Sequence, residues 1–101
     1  MYEGDKAQLI MKQYFREEKK PDLESCQCTV IECQKEKEMV HLLMLEGRLT
    51  DISLDAIYEC RIRTIKGEAV CTGMIKERYE NRAGMILVLQ ILNGFYEIII
   101  K

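Results

Sequence analysis

The sequence has one proline, one histidine, no tryptophan and only six glycines in 101 residues. With a single imidazole, few acid–base groups are available for catalysis. No two glycines stand close enough to form a phosphate loop or a dinucleotide-binding turn, which argues against nucleotide hydrolysis and a Rossmann domain. Charge of one sign is missing too. Fifteen basic and 17 acidic side chains leave a formal charge of −2, unlike proteins that bind nucleic-acid polymers by laying cations along phosphates. The longest apolar runs, Met85 to Leu89 and Ile98 to Ile100, fall far short of the roughly 20 residues that span a bilayer, so no membrane insertion is expected. The first residues, Met1-Tyr2-Glu3-Gly4-Asp5-Lys6, are polar and acidic and do not resemble an export signal. The five cysteines are an odd number, and without an export signal the expectation is reduced thiols in the cytoplasm.

The composition that remains is globular: 48% hydrophobic and 32% charged. The length fits a single domain over residues 1–101. Residues 5–20 read as an α-helix. Asp5 is placed to cap it, Lys6 to Gln13 are mostly good helix formers, and Leu9, Ile10, Gln13 and Tyr14 recur at helical spacing. Lys19 and Lys20 suit its C-terminal end, and Pro21 stops it.

From about residue 24 onward the period changes to two. Strands are expected over Ser25–Cys33, Glu38–Glu46, Ile57–Thr64, Glu68–Arg78, Gly84–Leu92 and Phe95–Lys101. Turns are expected at Gly47, Lys66-Gly67, Asn81 to Gly84 and Asn93-Gly94. Asn93-Gly94 is a preferred type I′ dipeptide. A hairpin there opposes Leu92 to Phe95, Ile91 to Tyr96 and Leu89 to Ile98, with Leu87, Leu89, Ile91, Tyr96, Ile98 and Ile100 facing the core and Gln90 and Glu97 outside. A turn at Lys66-Gly67 pairs Ile62 with Cys71, Cys60 with Gly73 and Tyr58 with Ile75, leaving Arg61 and Arg63 outside. The expected fold is mainly β: a six-stranded antiparallel small barrel, closed or split, with the N-terminal helix plugging or covering it. An open sheet crossed by the helix is the alternative.

Cys26, Cys28, Cys33, Cys60 and Cys71 lack the doubled close spacing of a zinc site and read as buried thiols, so neither metal nor cofactor is expected. His41 falls on a solvent-facing strand position, with no motif to pair it with a nucleophile. Arg61/Arg63 and Lys76/Arg78 each project two cations from one strand face. The arginine pair suits a phosphate or carboxylate, with Glu59, Glu77 and Glu80 as neutralising neighbours. Val88, Leu92, Phe95 and Ile99 form an apolar outer surface suited to self-association or another protein.

The six-strand pattern with Asp51-Ile52-Ser53-Leu54-Asp55-Ala56 resembles PilZ domains and the related N-terminal barrel of flagellar brake proteins. Asp51 and Ser53 match the Asp/Asn-x-Ser-x-x-Gly motif, with Ala56 in place of its glycine. Arg16 matches the first arginine of the Arg-x-x-x-Arg stretch, and Lys20 stands where the second would be. The resemblance implies a non-catalytic regulatory or protein-interaction barrel. Its alternative is a cyclic di-GMP-binding domain using Arg16, Lys20, Asp51 and Ser53, aided by Arg61 and Arg63. A further analogy is to flavin-binding split barrels.

Overall fold

The computed structural model describes residues 2–15 and 25–99, apart from the side chain of residue 99. Six strands follow one another: β1 Lys6–Tyr14, β2 Ser25–Gln34, β3 Met39–Met44, β4 Ala56–Arg63, β5 Gly67–Asn81 and β6 Gly84–Ile99. Every pairing is antiparallel, and the order β1-β2-β3-β6-β5-β4 closes on itself through the β4–β1 contact. Short 3-10 turns at Lys35–Lys37 and Leu49–Asp51 are the only helical elements among the described residues. No helix there is long and apolar enough to cross a membrane.

The expected N-terminal helix is not found, because its first half is β1. Ala7 and Leu9 point inward and are buried, while Lys6 and Gln8 point outward. Pairing with β2 on one side and β4 on the other satisfies both edges of this strand. That outweighs a helix propensity of a few tenths of a kcal/mol per residue. A bulge between Met11 and Gln13 shifts the alternation by one residue and gives the segment its helix-like spacing. Residues 16–20 of the expected helix lie outside the described residues.

Strands β2 to β5 match the expected segments closely, but two turns differ. The β4–β5 turn is one residue earlier than expected: Thr64 and Gly67 exchange backbone hydrogen bonds around Ile65-Lys66. Tyr58 therefore pairs with Gly73, Cys60 with Cys71 and Ile62 with Ala69, a two-residue shift in partner that leaves each side chain on its expected face. The Asn93-Gly94 hairpin does not form. Strand β6 runs straight through it and pairs with β5 from Gly84 to Ile99. Gly94 is not among the glycines with positive φ, which a type I′ turn requires. Irregular pairing around Thr72 absorbs the extra residues of β6, and the Asn93 amide donates to the Thr72 hydroxyl at 3.1 Å. The displaced alternation leaves Tyr96 and Ile98 exposed, contrary to expectation, while Leu87, Leu89 and Ile91 are buried as expected. Ile100 lies outside the described residues.

The inward side chains form one core, including Leu9, Val30, Leu42, Tyr58, Ile62 and Leu89. Each such aliphatic contributes about 1.5–3 kcal/mol by leaving water. Ile52 packs on this core at the end where β1 finishes, next to the bond from Phe15 N–H to the Asp55 carbonyl. At the other end the rings of Tyr2 and Phe95 meet at 5.3 Å between centroids.

Candidate anion-binding face

The outer surface of β1, β4 and β5, with Gln27 of β2, carries a group of polar side chains suited to a ligand. Gln8 pairs with Gln27 on one side and Arg61 on the other. Ala7 pairs with Ile62, so Lys6 and Arg63 follow on the next row of the same face. A shallow depression of about 100 Å³ is lined by Lys6, Gln8, Gln27, Arg61, Arg63 and Glu68, with Ala7 in the floor.

Glu59, on β4, is nearly buried. Its carboxylate accepts from Arg61 Nε at 2.8 Å, and Lys12 Nζ lies 3.8 Å away. The second arm of the Arg61 guanidinium donates to Glu68 Oε1 at 3.2 Å. These bonds raise the Arg61 pKa above its ordinary value, first through the Glu59 hydrogen bond, and they hold the guanidinium in one orientation. Beside it, Arg63 is exposed and, among the described residues, makes no ion pair, while the Lys6 ammonium donates to the Thr29 hydroxyl at 3.2 Å. Among the described residues four cations (Lys6, Lys12, Arg61, Arg63) stand with Glu59 and Glu68, and the Glu46 carboxylate accepts the Gln27 N–H at 3.1 Å at the edge of the face, leaving a small local positive excess on a chain of net charge −2.

The other expected site residues are placed elsewhere. Asp51 Oδ2 accepts the Arg48 N–H at 2.9 Å and closes the Leu49–Asp51 turn. Ser53 is buried; its N–H donates to the Tyr58 hydroxyl and its Oγ accepts from the Asp55 N–H, each at 3.0 Å. Both residues therefore hold their own loop. Arg78 secures it further by donating to the carbonyls of Leu49 and Ile52. Arg16, Lys20 and the side chain of Ile99 lie outside the described residues.

The expected apolar surface does not form as one patch. Val88 is buried and Phe95 is half-buried against the core and Tyr2, so Leu92 is the one exposed member with a described side chain. Val88 sits under a sheet face on which Glu77 and His41 are its register partners.

Cys26, Cys28, Cys60 and Cys71 are buried and free, and Cys33 is half-buried. Cys28 Sγ lies 3.9 Å from Cys26 Sγ. Cys28 and Cys60 have pKa values pushed up, mainly by hydrogen bonds to Cys26 and Cys71 respectively and then by burial. Among the described residues no three His, Cys, Asp or Glu side chains are grouped to hold a metal. His41 is on the outer face of β3, and its Nε2 is buried without a hydrogen-bond partner among the described residues. The four buried thiols belong to the inner core, so the barrel wall separates them from His41.

Lys6, Gln8 and Gln27 were not expected in this site, because the first two read as helix. The usable signal was the alternation Lys6-Ala7-Gln8-Leu9, which matches the outward arginines of β4. Comparison with protein-family models, curated proteins and solved structures finds no match for the chain.

Proposed function

We propose that this chain is a non-catalytic binding module whose ligand is a small anion or anionic group, phosphate or carboxylate in kind, held on the β1–β4–β5 face. One observation carries the reading: among the described residues Arg63 and Lys6 have no carboxylate partner, and they stand beside an Arg61 guanidinium oriented by two carboxylates. Gln8 and Gln27 add neutral amide donors on the same row. An anion placed there meets two exposed cations and a third, Arg61, that is already held in one orientation, which reduces the entropy lost on binding.

The resemblance of Asp51 and Ser53 to the PilZ motif adds a PilZ-like regulatory barrel as the proposed frame for this function. Cyclic di-GMP, with its two phosphates, is therefore one of the anions to test.

The test is calorimetric titration with inorganic phosphate, citrate and cyclic di-GMP up to millimolar concentration, where binding worth about 4 kcal/mol registers. At least one should give heat that weakens as salt rises, and Lys6→Gln with Arg63→Gln should lower its affinity about tenfold or more. Absence of heat from all three, or unchanged affinity in the double variant, overturns the reading.

A further inference from the structure

Strand β6 is hydrogen-bonded on both sides only over its first half. Strand β3 accompanies it from Ile86 to Gln90, and the last bond on that side is Ile91 N–H to the Glu38 carbonyl. From Leu92 to Ile99 its only strand partner among the described residues is β5, with the Tyr2 ring packed on Phe95. The eight residues 92–99 therefore present an unpaired strand edge roughly 26 Å long. Native edges of this length are usually blunted by lysine, proline or an inward charge. This one contains no lysine or proline, and Glu97 is its single charge.

The two ends of the edge differ in a complementary way. At the Leu92 end is a hollow of about 260 Å³ lined by Ile91, Leu92, Gly94 and Phe95, with Lys35 and Glu38 on its rim. At the other end Ile98 is 37% exposed, beside the exposed Glu97. An antiparallel two-fold axis near the middle of the edge sets the Ile98 of each copy against the apolar hollow of the other. Each Glu97 then faces a rim carrying both Lys35 and Glu38 of the other copy, so the charges roughly balance and the apolar match, made twice, favours the pair. Backbone donors and acceptors on the two edges meet in antiparallel register, adding main-chain bonds to the apolar contact.

We infer that β6 residues 92–99 pair edge to edge with the same segment of a second copy of this chain, forming a two-fold dimer. This is independent of the anion reading, since the positively charged depression belongs to β1, β2, β4 and β5.

Sedimentation equilibrium of the full chain tests it, together with amide hydrogen exchange at low and high protein concentration. The expected result is a dimer at about 100 µM, with protection of residues 92–99 rising as dimer forms. Ile98→Lys and Leu92→Lys alter exposed side chains, so each should keep the wild-type circular dichroism and melting temperature while weakening association about tenfold or more. A wild-type monomer at that concentration overturns the inference. So does a dimer that both folded lysine variants retain, because association then uses another surface.

Discussion

The backbone N–H of Ser53 donates to the phenolic oxygen of Tyr58 at 3.0 Å, joining the loop before β4 to a core side chain on β4 itself. Both residues are buried, and burial raises the Tyr58 pKa. Tyr58→Phe keeps the ring but leaves the Ser53 N–H buried without an acceptor, at about 1–3 kcal/mol. Urea denaturation of the variant should show that loss with the m-value unchanged. A loss below a few tenths of a kcal/mol would mean the loop is held without this bond.

Gly73 is fixed by close approach of two backbones. A Cβ built there would lie 2.0 Å from the Gln90 carbonyl oxygen and 2.8 Å from its carbon, both main-chain atoms of β6. Gly73→Ala should destabilise the fold by about 3 kcal/mol or more, or prevent folding, since neither strand can retreat without breaking its pairing. Gly94 has open space around its α-carbon, so Gly94→Ala is the control and should stay within about 1 kcal/mol of wild type by thermal denaturation.

Nearly buried Glu59 depends on Arg61. Arg61→Gln leaves that carboxylate with Lys12 at 3.8 Å and should cost about 1–3 kcal/mol. Adding Glu59→Gln should recover part of the loss, because the stranded charge is then gone. A double variant as unstable as the sum of the singles would show that the two side chains do not interact.

The buried thiols set a pH dependence. A hydrogen bond to Cys71, and then burial, raise the folded Cys60 pKa above its unfolded value. The bond between Cys26 and Cys28 raises Cys28 and lowers Cys26, so the shifts in that pair oppose each other. Cys60 carries the effect, because between its two values the unfolded chain has released a proton that the folded chain keeps. Stability is full below the unfolded thiol pKa of about 8.5 and falls as pH rises past it, by up to about 1.4 kcal/mol per pH unit for each thiol held neutral. Denaturation midpoints measured from pH 7 to 10 under reducing conditions should fall over that window. A flat profile, or rapid thiol labelling of the native protein at pH 8, would contradict this.

The legible parts of the fold are the strands whose alternation is unbroken. Arg61 and Arg63 read as outward, and Cys60 and Ile62 as inward, because each lies in a regular stretch of β4 where burying an arginine would be costly. The segments read incorrectly are those interrupted by bulges. The bulge near Lys12 disguised β1 as a helix, and the irregular pairing near Thr72 let β6 pass through Asn93-Gly94 without turning. In both cases partners distant in sequence stabilise a conformation that the local residues do not favour. The candidate site was half legible for the same reason. Its arginines are on regular β4, whereas Lys6 and Gln8 join them only once β1 is a strand. Asp51 and Ser53 matched a ligand motif in sequence, yet their bonds to Arg48, Tyr58 and Asp55 form only in the folded loop.

The most direct measurement of the proposed function is an amide chemical-shift titration of the isotopically labelled chain with the tightest of the three anions. Saturable shifts centred on Lys6, Gln8, Gln27, Arg61 and Arg63 are predicted, and they should disappear in the Lys6→Gln/Arg63→Gln variant. Shifts centred on another surface, or none that saturate, would contradict the assignment of this face as the binding site.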